Sequence, residues 1–400
     1  MGGLHRSPLP SSLPICVVLA SSLFISGCSA NLAGLPTPTW PPPTFTEAPR
    51  STPSLAETAT STQTPTPPKI EASNAHNLRV FAILDTAPIE ALAWSPDTAN
   101  FAVADSFFDA ESNATAHSLR LIHFASLEQV WSSEQHASDL IFDMQGRLIA
   151  GSSLDSGPTI IDPATGDIMG QLGDNKDHLC GRPFILSQPA SGDPLFAASL
   201  APTLGNDLAW VCTWDLAGDH KPTNIQYQDG ELDSFSVSAD GTIYSLGIVN
   251  AMGYPFLTTQ VRLLSSNVLR CALPGSLAQL SPSGSTLAVY DAETLTITTY
   301  DSTNCQPIAV SSDALPDLIN GPSSLVFSDT GELLALAGPS IVLLDAASLL
   351  KLGELSVCDS PEEDCNVTDL AFSPDGHYLL AGLEFGWTDQ GRILLWSTSD

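Results

Sequence analysis

Val367-Thr-Asp-Leu-Ala-Phe-Ser-Pro-Asp-Gly-His-Tyr-Leu-Leu-Ala-Gly382, followed after a loop by Gly391-Arg-Ile-Leu-Leu-Trp-Ser397, is the stretch whose reading decides the fold. Leu370 and Phe372 alternate with polar neighbours, as a half-buried strand requires. Ser373-Pro-Asp-Gly376 is turn chemistry: Pro presets φ, Asp bonds its own backbone, and Gly accepts a positive φ. A second strand starts at Tyr378 and a third covers Ile393 to Trp396. The unit is three short strands with a turn between the first two.

The same unit recurs six times upstream. Its turns fall at positions 98, 146, 192, 241, 284, 331 and 376. A period of about 46 residues with several strands per unit points to propeller blades, not to helical solenoids. No window sustains a helical period of 3.6. The third strand recurs too, as Thr159 to Asp162, Val211 to Asp215, Thr298 to Asp301, Val342 to Asp345 and Ile393 to Ser397.

On these residues the chain from about Leu78 to Ser397 resembles the WD40 repeat family of β-propellers. The resemblance rests on Ser373 to Gly376, on variants of that turn at Ser95, Ser238, Ser281 and Ser328, and on the Asp that closes the third strands. A full Trp-Asp pair stands once, at Trp214-Asp215, and the family's Gly-His pair before each blade is absent. The family's Asp-His-Ser-Trp hydrogen-bond network is therefore not expected here. The fold class is all-β: a seven-bladed propeller of four-stranded antiparallel blades. The seventh unit stops at its third strand, while Leu78 to Leu84 is a strand with no blade of its own. That strand is expected to complete the last blade and close the circle, which hides the sheet edges.

Upstream of the repeats the composition changes. His5 and Arg6 precede an apolar run, Ile15 to Ile25, which is too short to span a bilayer comfortably. Ile25-Ser-Gly-Cys28 follows directly and resembles the bacterial lipobox. The resemblance implies a signal peptide over 1–27 and lipid attachment, palmitate included, at Cys28. Ten prolines and ten threonines lie between Pro36 and Pro68, a composition that cannot bury a core. Residues 28–76 are thus expected to form a disordered stalk, with the propeller over 77–400. The expected location is extracytoplasmic, lipid-anchored on a bacterial membrane.

Thirteen Lys plus Arg stand against 44 Asp plus Glu, a net charge of −31. Such a surface repels nucleic acid and anionic headgroups. Apart from Cys16 and Cys28, the cysteines are Cys180, Cys212, Cys271, Cys305, Cys358 and Cys365. An even set in an exported chain suggests disulfides, and six cysteines allow fifteen pairings. Sequence proximity favours Cys358–Cys365, Cys180–Cys212 and Cys271–Cys305.

The sequence carries no G-x-S-x-G, H-E-x-x-H or P-loop motif. His76, His117, His123, His136, His178, His220 and His377 stand singly, and Glu231/Asp233 and Glu362-Glu-Asp364 read as solvated loops between blades. No catalytic residue, cofactor or metal is expected. What remains is surface. The loops joining second and third strands hold Phe107 and Phe108 in blade one, Met252, Tyr254 and Phe256 in blade four, and Phe385 and Trp387 in blade seven. Blades seven and one are neighbours in a closed circle. Phe107, Phe108, Phe385 and Trp387, beside Asp105, Asp109, Glu384 and Asp389, therefore form a candidate recognition patch. The functional expectation is a monomeric, non-enzymatic scaffold for protein, peptide or glycan. The alternative is a propeller hydrolase or lyase with a site in the central channel. It would need carboxylates, His or Arg on the first strands, which read as mostly apolar or Ser.

Overall fold

A computed structural model of the chain describes residues 66–399, except 110–113, 152–156, 174–181, 190–191, 193, 204–205, 219–221, 250–256, 312–314, 316–321, 359–364 and 387. Cys28, Cys180, Trp387, Met252, Tyr254 and Phe256 lie outside the described residues, as does Glu362-Glu-Asp364. Among the described residues there are seven sheets, each four-stranded and antiparallel. Blade one is Ile89–Trp94, Asn100–Asp109, Ala114–His123 and Glu128–Ser133, and blade two opens with Asp139–Phe142. The first strands of blades three to six are Arg182–Ser187, Glu231–Val237, Leu277–Leu280 and Ser324–Phe327. Blade seven is Cys365–Phe372, Tyr378–Phe385 and Gly391–Thr398, completed by Leu78–Thr86. The first strand of every blade touches the first strands of both neighbours, which makes a closed ring.

The closing strand is where the count of strands put it. Leu78 pairs with Thr398 and Thr86 with Gly391, with a bulge at Phe81. Leu78–Thr86 is the outermost strand of a blade whose other three strands come from the far end of the chain. The N- and C-terminal sides of the ring are thereby hydrogen-bonded into one sheet.

All seven repeat turns have the geometry that their sequence demands. Gly146, Gly192, Gly241, Gly284, Gly331 and Gly376 have φ between 65° and 77°, and Thr98 takes the same left-handed conformation at 57°. In the Ser-x-Asp turns the Ser hydroxyl donates to the Asp carboxylate, at 2.6 Å for Ser373 and Asp375. The same hydroxyl accepts the amide of Tyr378 at 3.0 Å. This bond ties the start of the second strand to the end of the first. The aspartates at the ends of third strands act alike: Asp162, Asp215 and Asp301 each accept the amide two residues on.

The core lies in the seams between blades. Ala91, Ala102, Leu119 and Leu121 of blade one pack on Leu140, Leu148 and Ile161 of blade two. Fully burying one such leucine is worth about 1.5–3 kcal/mol. The seam between blades seven and one adds rings. Trp94, Phe124, Tyr378 and the bulged Phe81 contact one another at centroid distances of 4.5–6.3 Å. The Trp94 indole also donates to the carbonyl of Ala371 at 3.1 Å.

Around the axis, side chains of one first strand cap the backbone of the next. Asp139 of blade two accepts the amide of Leu186 at 2.6 Å, and Ser187 of blade three accepts that of Val237 at 3.0 Å. In blade four Ser234 accepts from Ala278 and Ser236 from Leu280. Ser323 of blade six donates to the carbonyl of Val367, and Asp369 of blade seven accepts the amide of Leu92. Close approach is part of the arrangement. Gly247 stands opposite Ser234 in the pairing, and a Cβ there would lie 1.6 Å from the carbonyl oxygen of Ser276. Gly382 faces Asp369 in the same way, with Ile89 against it.

Several expectations are corrected. The body begins before Asn77: Ile70 and Ala75 are buried in the core of blades six and seven, and Ala75–Asn77 is a short 3-10 turn. The Ile70 amide donates to Gly376 and the Thr398 hydroxyl to the carbonyl of Pro68, so this segment is docked and not stalk. Ile70 supplies an apolar anchor that the surrounding composition concealed. Glu231 and Asp233 belong to a strand, not to a loop. Two of the expected pairings stand: Cys271–Cys305 and Cys358–Cys365 are disulfides, with Cα atoms 6.4 and 6.1 Å apart. The first of them staples blade four to blade five.

Candidate functional site

The candidate site is the end of blades seven, one and two where second strands meet third strands and one blade leads into the next. Second and third strands of blade one run longer than the sequence reading allowed, pairing from Asn100 with His123 out to Asp109 with Ala114. Phe107 and Phe108 are thus held on a strand end instead of a loop. Both are exposed, at 39% and 51%. The amide of Phe108 donates to the carboxylate of Asp389 at 3.2 Å, which joins blade one to the loop of blade seven. Phe107 and Phe108 are thus exposed on opposite faces of one strand end, with the Phe108 backbone beside an exposed acid.

The other parts of the patch differ from expectation. Phe385 is half-buried against the core of its own blade, with the Arg392 guanidinium 5.0 Å from its ring centre. Asp105 is not a surface acid. It is only 3% exposed, accepts from the Thr86 hydroxyl at 2.7 Å and pairs with Arg120. Thr86 ends the closing strand, so this buried pair also fastens blade seven to blade one.

The structure brings together three residues that the sequence reading left apart: Glu90, His117 and His136. Glu90 is the bulged residue between Ile89 and Ala91. His117 lies on the strand face that also carries Leu119 and Leu121, turned to blade two. His136 is in the link to blade two, fixed by buried Ala137 and by the Ser138 amide, which donates to Gly151. His136 Nε2 is 3.4 Å from Glu90 Oε2, and His117 Nδ1 is 3.8 Å from Glu90 Oε1. The two rings stand edge to face with centroids 4.2 Å apart. Burial lowers the His136 pKa below its ordinary value, and His117 adds to this while Glu90 opposes it. Spacings of 27 and 19 residues match no linear motif. The signal that was present is a histidine at a position whose strand alternation demands an apolar residue.

The first strands also carry two carboxylates that the sequence reading passed over. Asp139 and Asp369 keep partial solvent contact but are surrounded by protein. Burial raises the pKa of Asp139 to about 7 and that of Asp369 to about 6. Backbone amides hold both down in part, from Leu186 and Leu140 for Asp139 and from Leu92 and Leu370 for Asp369. Their oxygens are engaged in joining blades.

No family model matches the chain, and no curated protein matches it. Among solved structures, it is similar to the β-propeller domain of Cps50 (Swd1) from Myceliophteria thermophila. The TM-score is 0.59 at 12% identity, over 80% of this chain and 100% of that one. At that identity the likeness shows the seven-bladed fold.

Proposed function

We propose that the chain is a binding scaffold for a protein or peptide, which docks on the blade seven to blade one rim through Phe107 and Phe108. The observation that carries this reading is the pair of exposed aromatics on a strand end, with the Phe108 amide tied to Asp389. Rigid aromatics lose little entropy on binding and dominate recognition surfaces. The charge of −31 favours a basic partner and disfavours nucleic acid. Glycan is the second ligand class that such rings suit. Non-enzymatic action as a monomer completes the proposal. The channel reading has its carboxylates in Asp139 and Asp369, but their oxygens already cap backbone amides.

Lipid attachment at Cys28, outside the cytoplasmic membrane, is part of the same proposal and rests on the lipobox resemblance. Among the described residues no helix is long and apolar enough to cross a membrane. The test is crosslinking of the full chain in membranes, comparing wild type with a Phe107→Ala/Phe108→Ala variant. Loss of specific crosslinked partners supports the surface; an unchanged set sinks it. In the same preparation Cys28→Ala should move the protein to the soluble fraction.

A further inference from the structure

We propose that Glu90, His117 and His136 form a binding site for a zinc-class divalent metal ion, with the fourth coordination position open. The reasoning starts from donor chemistry. Two imidazoles and one carboxylate suit zinc and its transition-metal neighbours, whereas magnesium and calcium prefer all-oxygen sets. Bonds of about 2.1 Å at tetrahedral angles put neighbouring donor atoms about 3.4 Å apart. Here one donor atom from each residue lies within 4.8 Å of the other two, and His136 Nε2 and His117 Nδ1 stand 3.4 and 3.8 Å from Glu90 Oε2 and Oε1 respectively. Small side-chain rotations bring all three to one ion.

The ordinary alternative is a histidine–carboxylate hydrogen-bonded pair, and the geometry does not favour it. Separations of 3.4 and 3.8 Å are long for such bonds. Glu90 Oε2 and His117 Nδ1 are both buried and make no hydrogen bond. Buried polar atoms without partners need an explanation, and an ion between them supplies one. The three donors stand on a bulge, a strand and a pinned link, so little order is lost on binding.

Access completes the argument. The side chains of His136, His117 and Glu90 retain 10%, 23% and 26% exposure, so the cluster lies at the surface with Glu90 Oε2 and His117 Nδ1 just beneath it. Three protein ligands leave room for water or for a donor from a partner. Strand alternation puts Phe108 on the His117 face, about 7 Å further along the strand. The metal and the aromatic rim would share one surface, although the metal site stands whether or not that rim binds protein.

The test uses the full chain without a polyhistidine tag, stripped with a chelator and titrated with cobalt(II), then competed with zinc. Wild type should take up one equivalent with the visible bands of a low-coordinate site. His117→Ala/His136→Ala should weaken uptake by at least about tenfold, while His123→Ala leaves it unchanged. Absence of saturable uptake by wild type, or equal affinity in the double variant, overturns the proposal. If the double variant melts differently without metal, Glu90→Gln decides: it keeps the side-chain volume, and unchanged affinity there overturns the site.

Discussion

The carboxylate of Asp369 accepts the amide of Leu92 at 2.8 Å, and the two residues are 277 positions apart in the chain. This bond crosses the seam at which the ring closes, from the first strand of blade seven to that of blade one. Two further links cross the same seam, the Thr86–Asp105–Arg120 group and the rings around Trp94, while the pairing of Leu78–Thr86 with Gly391–Thr398 ties the start of the ring into blade seven itself. Closure is thus redundant, with a polar bond near the axis, an apolar layer in the middle and a backbone zipper at the rim.

Replacing Asp369 separates the polar bond from the rest. Asp369→Ala strands the Leu92 amide in the seam and should cost about 2–3 kcal/mol. Asp369→Asn keeps an acceptor oxygen for the Leu92 amide but gives up the one that serves the Leu370 amide, and should cost about 1 kcal/mol, less than the alanine variant, at neutral pH. Urea unfolding of the two variants checks this. Equal losses would mean that the carboxyl group acts through packing and not through the Leu92 amide.

The turn series yields a second prediction. Six of the seven repeat turns place Gly in the left-handed region, and the first places Thr98 there at 57°. A β-branched residue in that region is strained by about 1–2 kcal/mol, partly offset because Gly loses more freedom on folding. Thr98→Gly should therefore stabilise by up to about 1 kcal/mol, and Gly376→Ala, where φ is 77°, should destabilise by about 1 kcal/mol or more. Thermal melting of both variants gives the signs. A stabilising Gly376→Ala would contradict the turn assignment.

These turns also explain how much could be read in advance. Turn and strand chemistry act within about ten residues, so Ser373 to Gly376 announces itself and its repetition gives the blade count. Closure followed because Leu78 to Leu84 was a strand left without a sheet. The Glu90–His117–His136 cluster was not legible. Its members come from a first strand, a third strand and an inter-blade link, and only register brings them together. Nor was the bulge at Glu90 readable from local sequence. Asp105 was misjudged for the same reason: its neutralising partner Arg120 sits on the next strand, fifteen residues away. Asp139 and Asp369 carry no local signal either, because the amide each one accepts across the seam belongs to the neighbouring blade.

Asp139 and Asp369 give the last prediction, a dependence of stability on pH. Their folded pKa values, about 7 and about 6, are raised above the ordinary 3.8, chiefly by burial. In the window between about pH 4 and pH 7 the folded chain therefore binds more protons than the unfolded one, so stability falls as pH rises. Below that window both states are protonated, and above it both are ionised, so the contribution is flat. Every tenfold difference in proton affinity between the two states corresponds to about 1.4 kcal/mol, an upper bound here because both groups keep some solvent contact. The net charge of −31 adds a background slope of the same sign through self-repulsion. Asparagine separates the two effects, since it keeps an acceptor for Leu186 and Leu92 but cannot titrate. In Asp139→Asn/Asp369→Asn, urea midpoints should drop less between about pH 4.5 and pH 7.5 than in wild type. Parallel pH profiles would show that these two carboxyls titrate normally and that the slope belongs to the surface.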